Sequence, residues 1–404
     1  MKKIFLSIGF FAIALAVYWS TASWFGKTGT PDTAYFNELA DAFLHGQLYL
    51  AQPPANHDLT HYHDHWYVPF PPLPALLMLP WVALNGSPAI KTVLFCALFG
   101  ALNVTFIYLL LEALSQRRWS KLSLTDNLWL TGLFALGTVH WYMATVGSVW
   151  FVAQICTVTF VALAVWSAIA NGSPWLAGLA LGLAMVGRPN VALTWPLLLG
   201  IAALQQQTEE KRIVWPALFK WAVASVTPMG LAVAGLLLYN NARFGNPLDF
   251  GYLNENVADK LKEALHTYGQ FNLHYAAKNF WSMWLAGPKW EPKANFWIPD
   301  GEGMSLFFTT PALIYLVRTY RHARGRAWLV FGGWVAFGLL LIPLLLYYNT
   351  GWYQFGYRFS LDFMVPVMVL LAVAAGERLS WSMRSLILVG VLINLYGVLW
   401  WHMR

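Results

Sequence analysis

Charge is scarce in this sequence. Acidic and basic residues together fill 11% of its 404 positions, against about 25% in an ordinary soluble domain. A soluble chain of this length keeps roughly a quarter of its unfolded surface wet after folding, and so few charges cannot cover that surface. A cytosolic globular enzyme is excluded, and 58% hydrophobic residues exclude a disordered chain. Cysteine is scarcer still. Cys96 and Cys156 both sit inside apolar runs, which excludes a disulfide scaffold and reads each as a small buried apolar residue.

What is abundant is apolar and aromatic: one residue in six is Phe, Trp or Tyr, with 23 Trp. The composition indicates an all-α polytopic membrane protein. A spanning helix needs about 20 mostly apolar residues. Segments 4–25, 89–112, 127–145, 148–170, 214–239, 304–318, 327–348, 361–379 and 383–402 qualify. The stretch 175–204 is one tilted helix or two short ones meeting at Gly187-Arg188-Pro189-Asn190.

The excess of basic residues decides between them. Lys2 and Lys3 place the N-terminus in the cytoplasm, and Arg117, Arg118 and Lys121 return there after the second span, as does Asn171 after the fourth. A single crossing at 175–204 would put Lys211, Arg212, Arg318, Arg321, Arg324, Arg326, Arg378 and Arg384 outside. A broken hairpin puts them all inside. Pro189 supplies a local cause for the break, because it lacks an N–H and disfavours helix before it. The expectation is therefore about 11 transmembrane helices in one domain over 1–404, with the C-terminus outside. The inner side then holds 14 Lys and Arg against 5 acids. The net charge of +7 is an orientation signal, and a nucleic-acid partner is not expected. A Lys-Lys start with small residues near Ala22 also fits a signal peptide, but the long apolar core fits an uncleaved anchor better.

Two long polar and aromatic segments face outward, 26–88 and 240–303. Long ordered loops are where function concentrates. In the first, apolar positions 35, 36, 39, 40, 43 and 44 recur at helical spacing and Gly46 stops the run. Thr30 is the expected N-cap and Pro31 the first helical residue of an amphipathic juxtamembrane helix. Asp32 then either complements the helix dipole, by about 0.3–1 kcal/mol, or acts as a base at a cavity mouth. Residues 56–65 carry four His and two Asp. In an extended strand His61, His63 and His65 share a face, which suits either a solvated loop or a divalent metal. The prolines between 69 and 80 predict a broken helix dipping into the outer leaflet. In the last outer loop, Arg358 and Asp362 stand four apart at a helix start, which suits an ion pair as well as a ligand contact.

The acid after the first span, followed by Tyr35, Phe36, Leu39, Ala40, Phe43 and Leu44, is one pattern among several. The others are the Tyr67 to Pro74 segment before span two, the small-residue run Gly178 to Pro189, and the stretches Arg243 to Pro247 and Phe355 to Asp362. This layout resembles multi-span glycosyltransferases of the C-type superfamily, which includes protein O-mannosyltransferases and lipid A aminoarabinose transferases. The resemblance covers most of the chain as a layout and implies a polyprenyl-phosphate-sugar donor. It implies a glycan, lipid or protein acceptor and a site facing the periplasm from a bacterial inner membrane. It maps the base onto Asp32 and the donor-phosphate contacts onto Arg358, Arg188 and Arg243. Many relatives carry two adjacent acids where this chain has Asp32-Thr33, so a second acid would come from Asp58 or Asp64. Asp64, His63, His65, Tyr357 and Tyr252 are candidate contacts to sugar or acceptor, and no cofactor is firmly implied. Arginine suits phosphate because its planar fork binds two oxygens at once. The rival readings are a transporter or flippase of a lipid-linked or anionic substrate, for which a broken hairpin is equally apt, and an assembly subunit.

Overall fold

The computed structural model describes residues 2–170, 172–293 and 295–404, the side chains of 2–4 excepted. Asn171 lies outside the described residues, and so do the side chains of Lys2 and Lys3. The chain folds into α1 (Lys2–Trp24), α2 (Tyr35–Leu44), the hairpin β1 (Thr60–Tyr62) and β2 (His65–Tyr67), and α3 (Leu73–Asn85). Next come α4 (Thr92–Gln116), α5 (Leu124–Leu136), α6 (His140–Met143), α7 (Val149–Ala170), α8 (Pro174–Met185), α9 (Trp195–Gln205) and α10 (Trp215–Phe244). The second outer region holds α11 (Asp259–Tyr268), α12 (Ala276–Trp284) and the hairpin β3 (Lys289–Glu291) and β4 (Phe296–Ile298). Then follow α13 (Leu306–Thr309), α14 (Ala327–Leu346), α15 (Leu361–Ala374) and α16 (Trp381–His402).

Six of these helices, α1, α4, α7, α10, α14 and α16, are long and apolar enough to cross a membrane. The other expected spans are shorter or interrupted. Segment 127–145 breaks at Gly137 between α5 and α6. Segment 304–318 is the single turn α13 followed by a 3-10 helix over Pro311–His322, which at about 2 Å per residue covers some 24 Å. Segment 361–379 is α15, whose fourteen residues are all buried, so it runs through the middle of the bundle.

The stretch 175–204 breaks at Val186–Arg188. Arg188 is extended, with φ −149° and ψ 105°, as the residue before a proline should be. Both limbs end at the same end of the bundle. The Gln205 amide donates to the carbonyls of Ala168 (2.8 Å) and Ile169 (3.3 Å), while the Trp221 indole donates to that of Gly172 (2.9 Å). The basic loops meet there too: Arg117 donates to Ile169 O, Arg326 to Trp119 O, Lys121 pairs with Glu377 and Arg384 with Asp126. A helix that stops at Val186 leaves carbonyls without partners. The Leu73 N–H, itself an unpaired donor at the start of α3, bonds Val186 O at 3.0 Å.

The first and second outer regions and the 347–357 loop gather at the opposite end. The first two are laced by backbone bonds: Asp58 N–H to Asn256 O (3.0 Å) and Asn256 N–H to Leu59 O (2.9 Å). The Thr60 hydroxyl adds a bond to Gly251 O (2.9 Å). The loop is tied to the second region by Met304 N–H to Gly356 O and Tyr348 N–H to Gln270 O.

Three local expectations are corrected. Thr30 does not cap α2, because its hydroxyl donates to Ile90 O and accepts from Thr92 N–H at the start of α4. The helix begins instead at Tyr35, and its apolar face packs on α3. The proline-rich segment forms the continuous helix α3, with Pro72 before it, Pro74 in its first turn and Pro80 inside. Its 13 residues reach about 20 Å, too short to span. The alternation of His61, His63 and His65 is broken by a two-residue turn, with positive φ at His63 and Asp64 joining β1 to β2. His61 faces Trp66 and Tyr62 faces His65 across the ladder, so the three imidazoles do not converge.

Glycines set the closest helix crossing. A Cβ at Gly178 of α8 would collide with the backbone of Ser225 in α10, whereas one at Gly132 in α5 would meet nothing within 4 Å. Gly178→Leu is expected to lower stability by at least about 1–3 kcal/mol, and Gly132→Ala to be neutral or stabilising. Thermal unfolding in detergent measures both.

Candidate functional site

A cavity of about 200 Å³ opens at the junction of the hairpin break with the three outer segments. That far exceeds the roughly 30 Å³ a water occupies in the liquid. Its base comes from Arg188 and Asn190 at the break and Phe359 before α15. Its walls come from Asp58 and Trp150 on one side and from Tyr252, Glu255, Tyr347 and Tyr348 on the other. Arg358 and the apolar groups Phe271, Pro343 and Leu344 complete it.

Beneath the cavity lies Asp362, 2% exposed. Arg188 donates to its Oδ2 through Nε (3.1 Å) and a terminal nitrogen (2.8 Å), and the Asn190 amide adds a third bond to the same oxygen (2.8 Å). The Gln154 amide donates to Oδ1 at 3.0 Å. Asp362 therefore pairs with Arg188 and not with Arg358, four residues before it. The sequence spacing suggested the nearer partner, but the 3-10 turn over Arg358–Ser360 starts the helix after Arg358 and directs that side chain elsewhere.

Arg358 is 6% exposed. Its Nε donates to Gly351 O at 2.9 Å, and its guanidinium lies 4.6 Å from the Phe359 ring centre and 5.6 Å from that of Phe151. Among the described ion pairs none involves Arg358, so its terminal nitrogens remain as donors at the cavity. Asp58 is the acid within electrostatic reach of it. Asp58 sits at φ +55°, a left-handed conformation uncommon for a residue with a side chain but more accessible to Asp, and its bond to Asn256 O holds it there.

Burial pushes the Asp58 carboxyl above the usual range, while His57 (3.6 Å), Arg358 and a hydrogen bond with Trp150 pull the other way. Burial pushes Glu255 up further, Asp58 adds to the shift, and the Tyr348 hydroxyl opposes it by donating at 3.2 Å. Two carboxyls and one unpaired guanidinium thus face one space. Such a site can hold an anion on the arginine and take a proton from a bound hydroxyl.

The cavity brings together only part of the expected set. Arg358, Arg188 and Tyr252 line it. Tyr357 is fully buried and its hydroxyl has no partner; it lies behind the cavity, close enough to feel Asp362, Arg358 and Arg188. Asp32 is exposed and does not line the cavity, because the chain turns before α2 begins. Arg243 is buried elsewhere. It donates to Val68 O and Asn240 (both 2.7 Å) under the Tyr239 ring and so fastens the first outer region to α10. His63 and Asp64 are exposed at the β1–β2 tip, and His65 packs on Tyr49. Among the described residues no three His, Cys, Asp or Glu side chains converge as metal ligands. Glu255, Gln154 and Asn190 were missed. Asn190 follows the proline break, a usable signal, whereas nothing local marks Glu255.

No family model and no curated protein matches the chain. The solved structures that match at low identity include two from one archaeon. One is the archaeal oligosaccharyltransferase AglB from Archaeoglobus fulgidus in complex with an inhibitory peptide and a dolichol-phosphate: 12% identity over 99% of this chain and 55% of that one, TM-score 0.44. The other is the Archaeoglobus fulgidus oligosaccharyltransferase in its apo form: 13% identity over 98% and 55%, TM-score 0.45. The chain spans about half the length of either.

Two outcomes follow from the charges. Asp362→Ala strands Arg188 and is expected to cost about 3–5 kcal/mol, while the double change Arg188→Met with Asp362→Leu recovers most of it; thermal unfolding reads both. Because folding raises Asp58 and Glu255, the folded state binds more protons than the unfolded chain. Their contribution is full below the ordinary carboxylate range and is lost as pH rises through the raised values. Unfolding followed upward in pH from the ordinary carboxylate range should show that fall, and Asp58→Asn with Glu255→Gln should flatten it.

Proposed function

We propose that this chain is a membrane glycosyltransferase that moves a sugar from a polyprenyl-phosphate donor to an acceptor hydroxyl at the outer face. The observation that carries the reading is Arg358, a buried arginine with no carboxylate of its own, in a cavity shared with Asp58. The reading takes eleven crossings, counting the interrupted segments, and a bacterial inner membrane with the basic end in the cytoplasm.

In this mechanism the acceptor oxygen attacks the anomeric carbon while Asp58 takes its proton. The bond from that carbon to the phosphate oxygen breaks, and its electron pair leaves with the phosphate. Arg358 stabilises that charge, the role a preorganised donor plays for a developing oxyanion. Phe271, Pro343 and Leu344 give the cavity an apolar side toward α14, suited to the first isoprene units. Arg188 stays with Asp362 and shapes the base of the cavity. The base is thus assigned to Asp58 rather than Asp32, and Arg243 becomes a strut.

One feature favours a transporter: the interrupted hairpin lines the cavity, as broken helices line transport sites. The two readings part in proteoliposomes holding a polyprenyl-phosphate sugar. Covalent transfer to an acceptor supports the enzyme, and vectorial movement without covalent change supports transport. For the enzyme, Arg358→Met should lower kcat about 10²–10³-fold and Asp58→Asn about 10²–10⁴-fold. Asp32→Asn should cost under about tenfold, below the range for a lost general base; a larger loss than Asp58→Asn would return the base to Asp32.

A further inference from the structure

The mechanism leaves one buried acid of the cavity unused. Glu255 arrives from the second outer region, 6% exposed. Its backbone bridges to Thr60, two residues from Asp58, and the flanking bonds between 58–59 and 256 lock the two segments together. Both acids line the same cavity.

The charges nearby do not match two carboxylates. Arg188 is committed to Asp362. Among the described residues that line the cavity, Arg358 is then the arginine left free to face Asp58, Glu255 and an incoming phosphate. The groups facing Glu255 are Asp58 from the first outer region, Tyr252 of its own segment, and Tyr347 and Tyr348 after α14. None brings a positive charge, and the hydrogen bond the side chain accepts comes from the neutral Tyr348 hydroxyl. His57 lies beside Asp58 rather than beside Glu255. Two ionised acids here would repel each other and the donor phosphate.

We propose that Asp58 and Glu255 form a carboxyl pair holding one proton. Glu255 carries that proton as a neutral acid, and Asp58 is the ionised partner. Glu255 is then a positioning residue: it donates a hydrogen bond to a hydroxyl of the bound glycan, keeps its proton throughout the reaction, and leaves Asp58 as the single base. One carboxylate then balances one free guanidinium before the donor enters. The role in transfer rests on the glycosyltransferase reading, whereas the shared proton does not.

The pair is tested first without substrate. Infrared spectra of the purified full chain at neutral pH should contain the carbonyl stretch of a protonated carboxyl. That band should disappear in Glu255→Gln and persist in Asp58→Asn. A spectrum unchanged by Glu255→Gln overturns the proposal, whatever the activity. Transfer assays across pH supply the second arm. Wild type should lose kcat/KM at alkaline pH, where Glu255 ionises. Glu255→Gln, which still donates but cannot ionise, should keep at least half of the neutral-pH activity and lose that alkaline fall. Glu255→Ala should lose tenfold or more. If Glu255→Gln is as inactive as Asp58→Asn, Glu255 needs its charge and the proposal fails. If no variant or wild type transfers sugar while the band behaves as expected, the pair stands and the glycosyltransferase reading falls.

Discussion

A helix that stops among packed side chains has no water to satisfy its last carbonyls, and the break at Val186–Asn190 is where this chain accepts that constraint. Everything around the cavity follows from how the break is made good. The start of α3 supplies a backbone donor to Val186. Arg188, released from helical geometry by Pro189, reaches Asp362 and brings Asn190 with it. Asp362 is held in turn from α7 by Gln154. Three helices and the interrupted hairpin are thereby fixed against one another around a buried ion pair.

The pairing of Arg188 with Asp362 separates the two arginines by role. Both are buried and both touch the cavity, yet one is neutralised and the other is not. The Arg358 guanidinium has no ion pair among the described residues, its neighbours Phe151 and Phe359 offer rings, and Asp58 stands across the cavity from it. The acids opposite are lifted by burial. The cavity therefore sets a guanidinium without an ion pair among the described residues beside two buried carboxyls.

Much of the architecture was legible in the amino acids because it rests on local rules. Apolar length marks the long helices, Pro189 marks the break, and the placement of Arg117, Lys211, Arg324 and Arg384 required a hairpin whose two ends meet at one side. The site was legible only in part. Arg188 and Arg358 stood out as cations where cations are expensive. Asp32 drew attention by its place after α1, but Thr30 bonds to Ile90 and Thr92 instead of capping α2, and Asp32 lies exposed in the turn that follows. Asp58 was weighed only as a second acid, and Glu255 was invisible, since its position depends on a backbone ladder joining segments about 200 residues apart. Long-range pairing of that kind leaves no periodic trace. Arg243 misled for the opposite reason: its burial signals a packing role that any buried cation shares with a ligand contact.

The lacing of residues 58–60 to 251–256, with Arg358 and Asp362 arriving later still, bears on how the protein is made. A chain emerging from the ribosome carries Asp58, Arg188 and Glu255 well before Arg358 and Asp362 are synthesised. Domains commonly fold in order of synthesis, but here no early portion contains a finished site. A nascent chain would present Asp58 and Glu255 without Arg358, and Arg188 without the Asp362 carboxylate that neutralises it. The completed cavity thus reports that α15 has been placed, since Asp362 at its start holds Arg188.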